Sequence, residues 1–300
     1  KTLNMMKKIL PITIVCPSNK GQKKLPKLIN SIYKNSCWPK EIIICATNKS
    51  DFKHIDPIKV KRLNIKSIIS YVKNQKVQRD IAIKQVKTDL IAQCDDDLEL
   101  DQNYLINSYK HFSNKDNKIL VSAAILFKDK THQAIRWNNA YYKNGFYRFI
   151  LLSFNSFKKL KFMSVLNSGR IIPLLPTDFL IENKSYKNLK NLEWVCSTII
   201  YNKSAIKNAY KYESEEGKKS YYEDVFFSHS LFKKGYKLMI DRSIIAYHPK
   251  TIKTDLSIFF KTIKSQKKIV EVFKKSKFFF YIDIIIFTLV FFILKLFKIR

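Results

Sequence analysis

Two clusters of acids carry the chemistry open to this sequence. Asp95, Asp96 and Asp97 follow directly on the apolar run Leu90–Cys94. Three adjacent carboxylates repel one another unless a cation or hydrogen-bond donors compensate. On a strand end, Asp95 and Asp97 point to one side and Asp96 to the other. Two hard oxygen ligands on one side suit Mg²⁺ or Mn²⁺, with phosphate and water filling the remaining positions. The plainer alternative is a solvated turn or a helix cap; placement at the carboxyl end of a buried strand favours the cation. The second cluster is Glu223-Asp224, which follows Tyr221-Tyr222 and opens a helical stretch running to Gly235. A helix macrodipole stabilises anions in its first turn. A general base must be ionised at working pH, so this placement suits one. Ordinary N-terminal capping is the competing explanation.

The elements that must position these acids are legible as periodicity. Ile12–Cys16, Glu41–Cys45, Ile68–Val72, Leu90–Cys94 and Ile119–Phe127 are short apolar strand candidates. Between them, Leu25–Tyr33, Val77–Val86 and Tyr104–Phe112 carry helical spacing. Such β-α-β alternation implies a mostly parallel central sheet flanked by helices, an α/β fold. Ligands in such sheets bind beyond the carboxyl ends of the strands. Regularity weakens over 128–193, which is rich in aromatic and basic residues such as Trp137, Tyr141, Tyr147 and Arg148. It returns with a strand at Trp194–Tyr201, the helix Glu223–Lys234, and short strands at Lys237–Asp241 and Ile244–His248.

Composition bounds the rest. The 300 residues hold 56 Lys+Arg against 24 Asp+Glu, a formal charge of +32, and 46% hydrophobic residues, enough for a core. The excess of bases invites a nucleic-acid partner, and a codon-driven abundance of lysine competes with that. Cys16, Cys37, Cys45, Cys94 and Cys196 lie far apart with no C-x-x-C pair. That spacing excludes a disulfide scaffold or cysteine zinc cluster and suits a reducing compartment.

The chain opens on Lys1, with Met5 and Met6 as candidate starts. Ile9–Cys16 holds Pro11 and precedes no small-residue cleavage site, so it reads as a core strand and no signal peptide. Phe278–Leu294 is apolar but for Asp283 and Thr288. At about 1.5 Å per residue it reaches roughly 25 Å, slightly under a bilayer core. Leu256–Phe273 mixes apolar residues with lysines and reads as a basic amphipathic helix suited to an anionic membrane surface. Residues 253–300 are therefore expected to attach the chain to a membrane, spanning it or lying in its plane; a helix pair packed on the protein's own core is the alternative.

In this order and spacing the two acidic clusters resemble the GT-A glycosyltransferases, particularly the large family-2 group of inverting enzymes, over roughly Pro11–Pro249. Asp95-Asp96-Asp97 matches the D-x-D motif. Glu223-Asp224 with Lys234-Gly235-Tyr236 matches the Glu-Asp pair whose helix ends in Gly-Tyr. Gln78-Arg79-Asp80 stands where an Arg-Asn pair opens the preceding helix, and His248 follows the last strand. The resemblance implies a GT-A fold over 1–252, with 9–127 as the nucleotide-binding half and 128–252 as the acceptor and catalytic half. It implies transfer of a sugar from a nucleoside diphosphate sugar to a saccharide or lipid-linked hydroxyl, as in cell-surface polysaccharide synthesis at the cytoplasmic face of the membrane. Asp224 would be the base. Asp97, Asp95 and His248 would hold Mn²⁺ or Mg²⁺. Pro17, Asn19, Thr47, Asp51, Arg79, Asp95 and Asp96 would line the donor. Trp194, Cys196, Ser197 and Glu223 would shape the acceptor pocket. Arg79 would pair with phosphate or orient Asp95. Many relatives carry acids at the end of the second strand that read the base; here Ala46 and Thr47 stand there, so the nucleotide is open.

Two other classes compete. One is an inactive fold serving as a basic binding protein for nucleic acid or anionic lipid, which rests on the +32 charge and the stretch 137–162. No Cys/His finger or RNP-like aromatic strand supports a specific nucleic-acid partner. The other is a nucleotidyltransferase, whose glycine-rich phosphate loop is missing after the first strand. His54, His111, His132 and His229 are expected to be surface or core residues.

Overall fold

The computed structural model describes residues 7–112, 118–127, 163–172, 189–196, 198–211, 221–249 and 256–296. Ser197, His132 and the aromatic-basic stretch 137–162 lie outside them. The chain divides into two compact units, Lys1–Lys130 with Ser185–Lys250, and Thr131–Lys184 with Thr251–Arg300.

The first unit is built on a nine-stranded sheet. Its strands are β1 (Ile9–Ser18), β2 (Trp38–Ala46), β3 (Ile65–Ile69), β4 (Leu90–Gln93), β5 (Glu99–Leu100) and β6 (Ile119–Phe127). The second unit contributes the two-residue strands β7 (Ser164–Val165) and β8 (Ile171–Ile172), and the first resumes with β9 (Leu189–Lys190), β10 (Ile199–Asn202) and β11 (Lys237–His248). The sheet order is β3-β2-β1-β4-β10-β6-β11-β5, with β9 also on β11. The pairings set β1 to β4, β6 and β11 running one way and β5, β9 and β10 against them. The sheet is thus mostly parallel in strand direction, as expected.

Helices cover both faces. In α1 (Leu25–Lys34), Leu25, Leu28, Ile29 and Ile32 recur at helical spacing and are buried. They join Ile12, Ile14, Ile42, Ile44 and Ala92 in one cluster, with Tyr104 and Leu105 of α4 (Tyr104–Tyr109). Between these two lie α2 (Pro57–Arg62) and α3 (Gln75–Lys84), capped by Asp56 and Asn74. Strand residues alternate faces, so Val15, Ile43, Cys45 and Ile91 point to the opposite side, where α3 packs on β1 and β2. From Ile12 onward both faces of β1 are therefore dry, which is why Ile14, Val15 and Cys16 are apolar in succession. The later helices of this unit are α5 (Ala205–Asn208) and α6 (Glu223–Phe232). All five cysteines are free.

Three sequence expectations shift. The third strand occupies Ile65–Ile69, because Ser70 and Val72 turn the chain through a mutual hydrogen bond. Trp194–Cys196 is not strand; only Ile199–Asn202 pairs in the sheet. Lys237–His248 is one strand whose register on β6 slips between Asp241 and Ile245. At that slip Asp241 accepts from Ser243 and meets His111 at 2.5 Å.

The second unit holds β7 and β8, a hairpin turned by Gly169 at φ 78°, and the helices α7 (Leu256–Val272) and α8 (Lys277–Leu296). A Cβ on Gly169 would lie 2.6 Å from Val270 of α7. Among the described residues no helix is long and apolar enough to cross a membrane.

Candidate active site

Parallel register brings the carboxyl ends of β1, β2 and β4 to one edge of the sheet. Strand β11 runs in the same direction, so His248 reaches that edge too. Cys94 still hydrogen-bonds to Val15 as the strand would, but the chain then turns, closed by Leu98 N–H on the Asp95 carbonyl at 3.4 Å. The extended alternation expected for the three aspartates stops there. Each carboxylate is sent to a different partner set.

Asp96 is buried and organises the loop after β1. It accepts from Ser18 Oγ at 2.8 Å and Asn19 N at 3.3 Å on one oxygen, and from Lys24 Nζ at 3.1 Å on the other. Burial raises its pKa, and the Lys24 ammonium opposes that. Asp95 accepts from Gln75 Nε2 at 2.6 Å and Arg79 Nη2 at 3.2 Å. Asp97 does neither. Its Oδ1 is buried with no hydrogen-bond partner and lies 3.6 Å from His248 Nε2. Two metal-competent groups thus meet without a hydrogen bond between them. Asp95 does not join them: among the described residues no three His, Cys, Asp or Glu side chains form a group able to hold a metal ion.

Arg79 links the two acidic clusters. It is buried on α3, with Nη2 on Asp95 and Nη1 on Glu223. Burial acts to lower its pKa, but Glu223 and Asp95 outweigh that and raise it. Glu223 Oε2 and Arg79 Nε are buried without partners. Burial also raises the pKa of Glu223, against the pull of Arg79. The sequence assignments placed Glu223 in the acceptor pocket and left Arg79 a choice of roles. The structure has Arg79 holding Asp95 and Glu223 in place. Asp80, where an Asn was expected, pairs with Lys76 one helical turn back.

Asp224 follows Glu223 in the first turn of α6. The helix starts from Tyr222 in the left-handed region, φ 62°, an uncommon conformation for a bulky residue. The Asp224 carbonyl accepts from Ser228 Oγ at 2.6 Å, and Ser228 Oγ also receives Val195 N–H at 3.1 Å. His229 Nδ1 lies 3.0 Å from the Glu193 carbonyl. These contacts dock 193–196 along α6, which explains why Trp194–Cys196 leaves the sheet. The Asp224 carboxylate keeps Val225 N–H as donor, at 3.0 Å. Burial first, then Glu223, lifts its pKa to about 7. The expectation of a carboxylate held fully ionised by the macrodipole gives way to one poised near neutrality, because desolvation and a neighbouring acid exceed the helix-end effect. Cys196 lies in this field: burial, then Asp224 and Asp95, raise its thiol pKa. Trp194 is buried, its indole Nε1 without a partner.

On the donor side, Thr47 Oγ1 donates to Asn19 Oδ1 at 3.3 Å, joining the ends of β1 and β2. Pro17 is buried in β1 beside Cys45. Asp51 is buried and accepts Gly21 N–H at 2.9 Å. A Cβ on Gly21 would fall 2.3 Å from Ser18 Oγ, the donor to Asp96. Asp51 and Asp96 therefore build the loop. Sequence reasoning missed Gln75, Gln78 and Lys24. Gln78 Nε2 donates to the Ser18 carbonyl at 2.8 Å. Polar residues at 75, 78 and 79, one face of a helix, were the available signal.

No protein-family model matches the sequence, and no curated protein matches it. The fold does have relatives among solved structures. The chain is similar to S. aureus TarS at 14% identity and TM-score 0.51, over 87% of this chain and 40% of that one. It is similar to GalNAc-T7 with UDP, GalNAc and Mn²⁺ at 15% identity and TM-score 0.59, over 90% and 48%. It is also similar to S. aureus TarS 1-349 in complex with UDP-GlcNAc at 14% identity and TM-score 0.51, over 87% and 66%. These neighbours are glycosyltransferases with a GT-A-like fold, and the present chain has that fold. It spans less than half the length of the first two.

Proposed function

We propose that the chain is an inverting, family-2-like glycosyltransferase that moves a sugar from a nucleoside diphosphate sugar to a hydroxyl of a saccharide or lipid-linked acceptor. The observation that carries this is Asp224, a carboxylate with pKa near 7 on a helix start tied through Glu223 and Arg79 to the D-x-D turn. The UDP and UDP-GlcNAc of the neighbouring structures make uridine diphosphate sugars the first donors to try.

Asp97 and His248 fit a divalent cation, since a buried, unpaired carboxylate oxygen faces an imidazole nitrogen. Bound there with the diphosphate, Mn²⁺ or Mg²⁺ would offset the charge growing on the leaving group. Arg79 and Gln75 hold Asp95 in one orientation beside that position. Asp96 fixes the loop of Ser18 and Asn19, and Thr47 and Asn19 present neutral polar groups where the base would lie. Asp224 takes the proton of the acceptor hydroxyl as its oxygen bonds to the anomeric carbon. The bond from that carbon to the diphosphate oxygen breaks with its electron pair on the diphosphate, so one displacement inverts the centre. Trp194 and Cys196, docked along α6, wall the acceptor side.

The test is a panel of nucleotide sugars with and without Mn²⁺ or Mg²⁺, read as transfer, hydrolysis and protection against heating. At least one donor should protect the chain only with the cation present. Equal behaviour toward every nucleotide sugar, with and without cation, overturns the assignment.

A further inference from the structure

The second unit carries an apolar stripe with no use in the chemistry above. On α8, Phe278, Tyr281, Ile285, Leu289 and Phe292 are 47–69% exposed. Their spacing of three and four residues puts them on one face along most of the helix. The opposite face is fixed. Asp283 is fully buried, accepting Arg170 Nε on both oxygens at 2.8 and 2.9 Å and Gln266 Nε2 at 2.6 Å. The Arg170 guanidinium lies 4.1 Å from the Phe287 ring centroid, and Phe287 stacks on Phe259 of α7 at 5.2 Å. Rotating α8 to bury the stripe would carry Asp283 out to solvent and leave Arg170 and the buried Gln266 without their acceptor, an uncompensated charge in the interior, at high cost. The stripe is therefore held outward by the unit's own polar lock.

Charge selects what covers it. The segment 253–300 holds eleven Lys and Arg against three Asp and Glu, and Asp283 is already neutralised by Arg170. Lys277 at the head of α8 is exposed, as is Lys267 on α7, and Glu271 is an exposed acid of α7. An apolar face beside a surplus of ammonium groups matches the interface of an anionic lipid monolayer, which offers acyl depth and negative headgroups together. We infer that α8 lies in the plane of an anionic membrane surface, with Phe278, Tyr281, Ile285, Leu289 and Phe292 inserted and the lysines on headgroup phosphates. This sharpens the sequence expectation of a membrane-attaching segment, choosing in-plane contact and naming the inserted face. It does not depend on the proposed reaction.

The experiment is co-sedimentation of the full chain with vesicles of phosphatidylcholine alone and of phosphatidylcholine mixed with phosphatidylglycerol. It compares the wild type with Ile285→Asp/Leu289→Asp and, as a milder pair, Ile285→Gln/Leu289→Gln. The wild type should partition onto the mixed vesicles, weakly onto the neutral ones, and less at high salt. Both pairs should reduce partitioning at least about tenfold, the charged pair more, with unchanged circular dichroism and melting. Equal partitioning of wild type and both pairs, or no preference for the anionic vesicles, overturns the inference. So does light scattering that shows the wild type as a dimer without lipid and the variants as monomers, since a second copy would then cover the stripe.

Discussion

Both compact units bury an arginine against a carboxylate, and they differ in how far the carboxylates around it are supplied with donors. In the second unit Asp283 receives donors on both oxygens, from Arg170 and Gln266. In the first, Arg79 is divided between Asp95 and Glu223, and the carboxylate oxygens Glu223 Oε2 and the nearby Asp97 Oδ1 have no hydrogen-bond partner. A buried carboxylate with donors on both oxygens holds a helix in one rotation. An unsaturated one keeps lone pairs and a raised pKa for something that arrives later. The first unit thus carries an electrostatic cost that packing alone gives no reason to keep.

Substituting each pair should separate the two roles most strongly. Arg79→Ala leaves Glu223 and Asp95 uncompensated, and urea unfolding should show a loss of about 3–5 kcal/mol together with loss of transfer. Arg170→Met with Asp283→Leu should leave stability unchanged or raise it, because well-packed apolar residues of similar volume can replace a buried ion pair. If both behave alike, the contrast fails. Next in size is the cation site. Asp97→Asn or His248→Ala should weaken the cation-dependent rise in melting temperature, and the cation affinity behind it, by at least about tenfold. Gly21→Ala should cost about 1–3 kcal/mol through the clash with Ser18 Oγ, and should also lower nucleotide affinity by displacing the Asp96 loop.

The last contrast is in pH dependence. A base with pKa near 7 is mostly protonated a unit below and mostly ionised a unit above. Transfer should therefore rise about tenfold between pH 6 and pH 8. Stability should move the other way. Native Asp224 keeps a proton that the unfolded chain has lost, so folding weakens as pH rises from 3.8 towards about 7. Asp224→Asn should remove that slope, by no more than about 4 kcal/mol, as read from melting temperatures across pH.

Much of the fold was legible where one physical signal dominated. Ile119–Phe127 shows as a strand because nearly every residue of it is buried, and its predicted bounds coincide with β6. Leu25–Tyr33 shows as a helix because its apolar spacing has one period and Pro26 fits its first turn. Trp194–Cys196 misled because a strand-like apolar run was claimed by Ser228 and His229 of α6, contacts more than thirty residues away. Of the site, residue types and their edge of the sheet were legible. Their division of labour was not. Nothing in Asp95-Asp96-Asp97 says that the chain turns within it, sending Asp96 to Lys24, Asp95 to Arg79 and Asp97 to His248. The poise of Asp224 is likewise a product of burial beside Glu223, which no helix-end argument contains.

The most direct measurement compares Asp224→Asn with the wild type, reading turnover and nucleotide-sugar affinity in Mn²⁺ on the same preparations. If Asp224 is the base and takes no part in donor binding, turnover falls about 10²–10⁴-fold, affinity is unchanged, and the variant melts no lower than the wild type at pH 8. Turnover that survives the substitution, or that is lost only in step with nucleotide binding, contradicts the assignment.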